Sequence, residues 1–379
     1  MRVALVHSFY DDASPSGENM VVENQLRALH KAGHEVELFG ARTTDRRSEP
    51  LYRVRSAFRV ATGLGRHPAR IEDFAPDVVH VHNLFPNFGR RWVKDLATPV
   101  VATLHNYRPL CANGFLLRDD RVCTRCPDGA PLSSLRYACY RGSRVATAPL
   151  TAATWGASTR DPILTTLDRL LVLSTSMARI YERAGVDSRR LTVLPNFLPD
   201  EARPDLRKAV SRTDSWLFVG RLSSEKGILD LVRRWPQDRA LTVAGDGPQR
   251  RELEAAGQGK RIEFLGSLDR ASILGLMQRS IGLVFPSRWL EGAPLVYVEA
   301  LASGLPVLAW RPNVLAELAE EQGTGQTLTW ESELEEALNE AASSFPTLRG
   351  RCAAVFEAEY SESAFVDRLE SVYAEVARA

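Results

Sequence analysis

Runs of β-branched and other apolar residues alternate with longer amphipathic stretches through the first 200 residues, the pattern of βαβ units around a parallel sheet. The runs predict strands at residues 3–6, 35–39, 77–81, 100–104, 170–173 and 191–194. Between the first two, Val22, Leu26 and Leu29 recur at helical spacing, and Gly33 stands where that helix stops. Residues 200–213 are polar, contain Pro204 and several charges, and read as a linker. The alternation then restarts, predicting strands at residues 216–219, 241–244, 262–264, 281–285 and 307–309. Phe365, Leu369, Val372, Tyr373 and Val376 recur at helical intervals and predict one C-terminal helix. No short fixed period is present, which argues against a solenoid.

Length supports the same division, because 379 residues exceed the roughly 250 to 300 at which one hydrophobic core stops growing. The expected domains are 1–200 and 201–355, with a terminal helical segment 356–379. With 48 basic and 47 acidic residues the net charge is +1, which argues against nucleic acid as a partner. No apolar run approaches the roughly 20 residues that span a bilayer, and no signal peptide or anchor is read at the start. Four of the five cysteines fall between Cys111 and Cys139, a local device and not a disulfide framework, so a reducing cytoplasm is the expected location.

Candidate chemistry gathers at predicted strand ends. After residue 285 comes Pro286-Ser287-Arg288-Trp289-Leu290-Glu291-Gly292-Ala293-Pro294-Leu295-Val296, then Tyr297-Val298-Glu299. The Gly-Ala-Pro segment reads as a loop and Leu295 as a helix start, aiming free backbone N–H groups at an anion. On spacing alone, Glu291 and Glu299 are equally two solvated charges. Val219-Gly220-Arg221 through Lys226-Gly227 ends another strand in glycine and supplies two cations suited to a diphosphate, or else flanking a surface turn. Gly245 in Ala244-Gly245-Asp246-Gly247-Pro248, and the Phe264-Leu265-Gly266 segment, are glycine-bearing turns open to either use. In the first half, Ser14-Pro15-Ser16-Gly17-Glu18 is a turn before a helix, and it lacks the G-x-G-x-x-G of a dinucleotide dehydrogenase. His105 stands just past a strand end, as do His82 and Asn83, where an open α/β sheet presents side chains to a ligand.

Pro286 to Val296, followed by Glu299-Ala300-Leu301-Ala302-Ser303-Gly304-Leu305-Pro306-Val307, resembles the donor-binding signature of retaining glycosyltransferase family 4. The Gly220, Gly245 and Phe264 segments recur in that family's order, as do Gly33-His34-Glu35, Asp77 to His82, Thr103 to Asn106 and Leu194-Pro195-Asn196. Ser16 departs from the family's usual pair of glycines. The resemblance implies two Rossmann-like doubly wound α/β domains facing across a cleft, the GT-B architecture, with the C-terminal helix crossing back to the first domain. It implies a hexosyltransferase that uses a UDP- or GDP-linked sugar, retains anomeric configuration and needs no cofactor for catalysis. Arg221 and Lys226 would meet the diphosphate, Glu299 the ribose, Phe264 and Leu265 the base, and Glu291 with Gly292, Ala293, Pro294, Leu295 and Val296 the transferred sugar. Gly17, Gly220 and Gly245 would also line the donor, and His105 would touch the donor sugar or the transition state. The acceptor class, whether glycan, lipid-linked or small molecule, stays open, and nothing in the sequence indicates peripheral membrane contact. A sugar-nucleotide epimerase or hydrolase on the same fold would consume donor without a glycosylated product, and a silent binding protein would not turn it over.

Residues 106–143 form an insertion with Cys111, Cys123, Cys126 and Cys139. The resemblance extends to a subgroup carrying such cysteines. Four thiols around a C-x2-C core suit a structural zinc, and four small hydrophobes are the alternative. The insertion's arginines suit an acidic or lipid-linked acceptor, or are simply solvated.

Overall fold

The structure is a computed structural model and describes residues 1–9, 17–206 and 211–378. Ser14 to Ser16 of the first turn and residues 207–210 of the linker lie outside the described residues. The chain divides into two compact units, the first comprising Met1–Arg118, Cys123–Pro195 and Phe365–Ala379, the second Asp119–Val122 and Asn196–Ala364. The second unit thus begins and ends somewhat differently from the expected 201 and 355, and hydrogen bonding explains why. Asn196 Nδ2 donates to Ala293 O at 2.8 Å, Leu198 N to Tyr360 O at 3.2 Å and Asp200 N to a Glu362 carboxylate oxygen at 3.0 Å, all within the second unit.

The first unit is built on a parallel sheet of β1 (Arg2–Phe9), β2 (Glu35–Arg42), β3 (Val78–Asn83), β4 (Val100–Leu104), β5 (Arg169–Val172) and β6 (Leu191–Val193), ordered β2-β1-β3-β4-β5-β6. Central strands β1, β3 and β4 are buried on both faces, which is why they read as near-continuous apolar runs. Helices α1 (Gly17–Lys31), α2 (Tyr52–Thr62), α3 (Arg144–Thr154) and α4 (Thr175–Arg183) belong to this unit. Ser143 and Ser174 start α3 and α4 by accepting from Ala146 N and Met177 N.

The second unit has β7 (Ser215–Val219), β8 (Ala240–Ala244), β9 (Ile262–Gly266), β10 (Leu283–Phe285), β11 (Val307–Trp310) and β12 (Gly325–Leu328), ordered β9-β8-β7-β10-β11-β12 and again parallel. Its helices include α5 (Ile228–Arg234), α6 (Arg250–Ala256), α7 (Arg270–Arg279), α8 (Leu295–Ala302), α9 (Val314–Gln322) and α10 (Leu334–Val355). Helix α11 (Glu362–Val376) contributes its residues from Phe365 onward to the first unit. There Tyr373 Oη lies 2.6 Å from His80 Nδ1, and Glu370 lies 2.7 Å from His34 Nε2.

Both sheets reverse their winding once, between β1 and β3 and between β7 and β10. Ligands of doubly wound sheets bind outside the carboxyl ends of the strands at such a reversal. Gly220, Gly245, Pro286 and His105 directly follow such strand ends, and Asn83 and Gly266 close theirs.

Candidate functional site

In the second unit, three strand-end loops are pressed together through glycine. Gly227 adopts a left-handed conformation at φ +67°, and a Cβ there would stand 2.1 Å from Pro286 O. A Cβ on Gly245, at φ +146°, would stand 1.9 Å from Gly220 O. No side chain larger than hydrogen fits at either position, so the loops after β7, β8 and β10 hold one another.

Into this arrangement β10 delivers Glu291, which is buried. Its Oε1 accepts from Lys226 Nζ at 2.7 Å, Ser287 Oγ at 2.9 Å and Trp289 Nε1 at 2.9 Å. Among the described residues Oε2 takes no hydrogen bond. Lys226 lies 5.5 Å from the Trp289 ring centroid and 5.7 Å from that of Phe285, within cation–π reach of both. Its three N–H bonds leave donors beyond the one given to Glu291. Arg221 is exposed, and among the described residues no carboxylate pairs with it. The two cations expected at a diphosphate are therefore held differently: Lys226 is fixed by Glu291, and Arg221 projects from the loop.

Helix α8 begins at Leu295 without a side-chain cap; Tyr297 N donates to Pro294 O, and among the described residues the N–H groups of Leu295 and Val296 take no partner and face a ligand. Glu299, one turn in, is buried and accepts from Arg270 Nε at 3.1 Å. Burial raises its pKa against the lowering effect of Arg270. Phe264 and Leu265 are half-buried on β9, an edge strand whose outer main-chain groups have no neighbouring strand. Gly292, Ala293, Pro294 and Val296 line the run from Glu291 into α8, and Asn196 anchors it through the Ala293 carbonyl. Arg270 and Asn196 escaped the sequence reading as site residues, since they stand far from the motif they support.

In the first unit a separate cavity of about 120 Å³ lies beside the ends of β3 and β4. Its polar lining includes Glu18, His82, Asn83, His105, Asn106 and Arg108. His105 Nε2 lies 2.9 Å from His82 Nδ1, one ring donating and the other accepting. His82 in turn stacks on His80 with centroids 4.3 Å apart, and His80 Nε2 lies 2.7 Å from Thr103 Oγ1. Burial holds His7 down at about 4 and His80 at about 3. Burial, then the neighbouring histidines, hold His105 at about 3 and His82 lower than its ordinary value. These imidazoles are neutral near pH 7, so His105 acts as a hydrogen-bonding group and not as a cation. Glu18, quoted in a motif but assigned no role, is pushed up to about 7 by burial, opposed by Arg108, Asn83 and Asn106. Gly17 is exposed at the start of α1.

Cys111, Cys123, Cys126 and Cys139 all line one small cavity of the insertion, and none is in a disulfide. Burial, and then Cys111, push the Cys126 thiol up to about 11. Cys111 Sγ donates to Asn113 Oδ1 at 3.0 Å. The donor set suits zinc, yet among the described residues no group of three or more His, Cys, Asp or Glu is arranged to hold a metal ion.

Residues 15–202 match the family described as Glycosyltransferase Family 4, and residues 213–345 that described as Glycosyl transferases group 1. Glycogen synthase of Mycobacterium tuberculosis (strain ATCC 25618 / H37Rv) is 33% identical over 171 residues, covering 42% of this chain and 41% of that protein. Sulfoquinovosyl transferase SQD2 of Arabidopsis thaliana is 27% identical over 352 residues, covering 86% of this chain and 62% of its own length. The matches thus span about two fifths and about three fifths of those relatives. Anabaena Alr3699/HepE, solved in complex with UDP-glucose, shares the fold with a TM-score of 0.65 at 17% identity, over 99% of this chain and 100% of that one.

Proposed function

With one glycosyltransferase domain in each half, the chain belongs to the GT-B glycosyltransferases, and from that premise we propose that it moves a hexosyl group from a nucleotide-diphosphate sugar to an acceptor with retention of configuration. The observation that carries the reading is Glu291 Oε1, held by Lys226, Ser287 and Trp289 at the winding reversal of the second sheet. A carboxylate so fixed leaves Oε2 to accept from hydroxyls of the transferred sugar, and leaves Lys226 donors for the phosphate beside it. Arg221 and the open start of α8 add positive potential to the same place.

Transfer breaks the bond between the anomeric carbon and the diphosphate oxygen, and an acceptor oxygen forms the new bond to that carbon. Positive charge grows on the sugar and negative charge on the departing diphosphate, as in glycoside hydrolysis. Arg221 and Lys226 stabilise the departing charge without reorganising, which makes a divalent cation unnecessary. Front-face attack lets the leaving phosphate oxygen take the acceptor proton. Glu299 binds the ribose hydroxyls, the β9 edge around Phe264 and Leu265 binds the base, and Gly220 and Gly245 allow close approach. His105, neutral and tied to His82, hydrogen-bonds the sugar, and Gly17 stands at the start of α1. The thiols favour a reducing cytoplasm as the place of action. The cysteine cavity is the proposed seat of a structural zinc that takes no part in transfer. Elemental analysis of native protein is expected to find one zinc per chain, whose chelation lowers Tm. Metal-free native protein would leave the four cysteines as apolar lining.

HepE was solved with UDP-glucose, so that donor leads the panel of UDP- and GDP-sugars to be tested. One of them is expected to raise Tm by mass action and to yield a glycosylated product in mass spectrometry with a suitable acceptor. Donor consumed with no acceptor product in any trial would favour the epimerase or hydrolase reading, and donor bound without turnover a silent binder. Glu299→Gln is expected to weaken donor binding in calorimetry about 10- to 100-fold, the scale of hydrogen bonds to a charged group. Unchanged affinity removes Glu299 from the ribose. Transfer is expected to persist in EDTA, and loss of rate restored by Mg²⁺ would refute metal independence.

A further inference from the structure

Helix α2 presents its apolar residues the wrong way round for a helix on a soluble core. Leu51, Val54 and Phe58, spaced as one stripe, are 67%, 64% and 57% exposed. The inward side instead supplies Arg59 and Val60 to the cavity that holds His105. Helix α3 packs against α2 and repeats the pattern. Val145, 85% exposed, begins a stripe through Ala148 and Ala152 to Trp155, while Leu150 and Ala153 line the same cavity.

Charge gathers in the same two stretches of chain. Residues 50–69 contain Arg53, Arg55, Arg59 and Arg66 and no carboxylate; residues 129–160 contain Arg136, Arg141, Arg144 and Arg160 and no carboxylate. All but Arg59 are exposed. The remainder of the chain, with 40 bases against 47 acids, carries −7, so the net +1 conceals a strongly polar distribution. Apolar side chains interleaved with arginine on an exposed helix face are what an interfacial helix lays into the headgroup and acyl boundary of a bilayer. Among the described residues no helix is long and apolar enough to cross one, so the fit is to lying on a membrane.

We propose that the outward face of α2 and α3 docks on a bilayer containing anionic lipid. A second copy is a poor occupant, because a two-fold contact would set this arginine face against itself. A nucleic acid leaves the Val54, Phe58 and Val145 stripe unburied. Docking places the cavity between the two helices at the membrane surface, where a lipid-anchored acceptor presents its headgroup to His105; that last clause rests on the glycosyltransferase reading.

Vesicle flotation tests the docking without any turnover. The whole protein is expected to float with mixed phosphatidylglycerol and phosphatidylcholine vesicles, at least about tenfold better than with phosphatidylcholine alone, and to be released as salt rises well above about 0.1 M. Phe58→Asp with Val145→Asp, and separately Arg53→Glu with Arg55→Glu, are each expected to lower the bound fraction at least about tenfold. Far-UV circular dichroism and donor calorimetry are expected to stay unchanged, because none of these side chains lines the cavity or the second-unit site. Equal binding to neutral vesicles, variants that float like the parent, or a dimer dispersed by Phe58→Asp without vesicle binding would overturn the proposal. Flotation in a protein that binds no nucleotide sugar would keep the docking and discard the transferase reading.

Discussion

Lys226→Ala is expected to lower transfer at least about 100-fold and, separately, to cost the second unit roughly 3 to 5 kcal/mol of stability. The two losses have different physical origins. The rate falls because one of the two cations proposed to face the departing diphosphate is gone, and about 3 kcal/mol of leaving-group stabilisation corresponds to that factor. Stability falls because Glu291 and Lys226 side chains are only 7% and 18% exposed, so the carboxylate is left buried with its charge uncompensated. Ser287 and Trp289 still donate to it, but both are neutral. Adding Glu291→Gln removes the stranded charge while keeping an oxygen for those two donors. The double variant should therefore recover most of the stability in urea unfolding and none of the rate. Recovery of both would make the pair a structural strut. Near-normal transfer in stable Lys226→Ala protein would defeat the phosphate role. Arg221→Ala, exposed and with no carboxylate partner among the described residues, is expected to slow transfer without the loss of stability.

This separation was only half legible in the sequence. The glycine-ended strands, the two glutamates and the two cations stood out because each follows an apolar run that predicts where a parallel strand stops. That Lys226 is clamped by Glu291, 65 positions away, depends on β10 lying beside β7 in the sheet, and periodicity assigns a face without assigning a neighbour. Arg270 and Asn196 were missed for the same reason. Strand β12 was missed because Gly-Gln-Thr-Leu is not an apolar run; it pairs at the sheet edge, where a Cβ on Gly325 would stand 2.0 Å from Val307 O. The outward stripe of α2 was missed too, since spacing gives a stripe but not which side of it meets the core. The four cysteines line one cavity, which their clustering between 111 and 139 makes legible, whereas the spacing does not encode how the thiols are turned toward one another.

The histidines of the first unit illustrate the same limit and lead to a large effect. His7 on β1, His80 and His82 on β3, and His105 after β4 come together because those strands are adjacent, an order no single stretch of sequence encodes. All four are held below the ordinary histidine value of 6.5, foremost by burial. A group lowered in the folded chain contributes stability that is present above the unfolded value and is lost as pH falls toward the folded one. Each can contribute up to about 1.4 kcal/mol per pH unit below about 6.5. Glu18 works in the opposite sense, since a carboxyl raised to about 7 takes up its proton in the folded chain first and favours folding on acidification down to its unfolded value of 4.5. Buried Glu299 and Asp161, also raised, act in the same direction as Glu18. The loss should accordingly be partly offset between pH 6.5 and 4.5 and become steepest below that, down to the folded values of about 4 for His7 and about 3 for His80 and His105. Urea unfolding followed across that range is expected to show this two-slope profile, and His80→Gln to flatten it by about one histidine's share. An unchanged profile in the variant would mean that His80 is already charged in the folded chain, and with it the reading of His105 as a neutral hydrogen-bonding group would lose its physical basis.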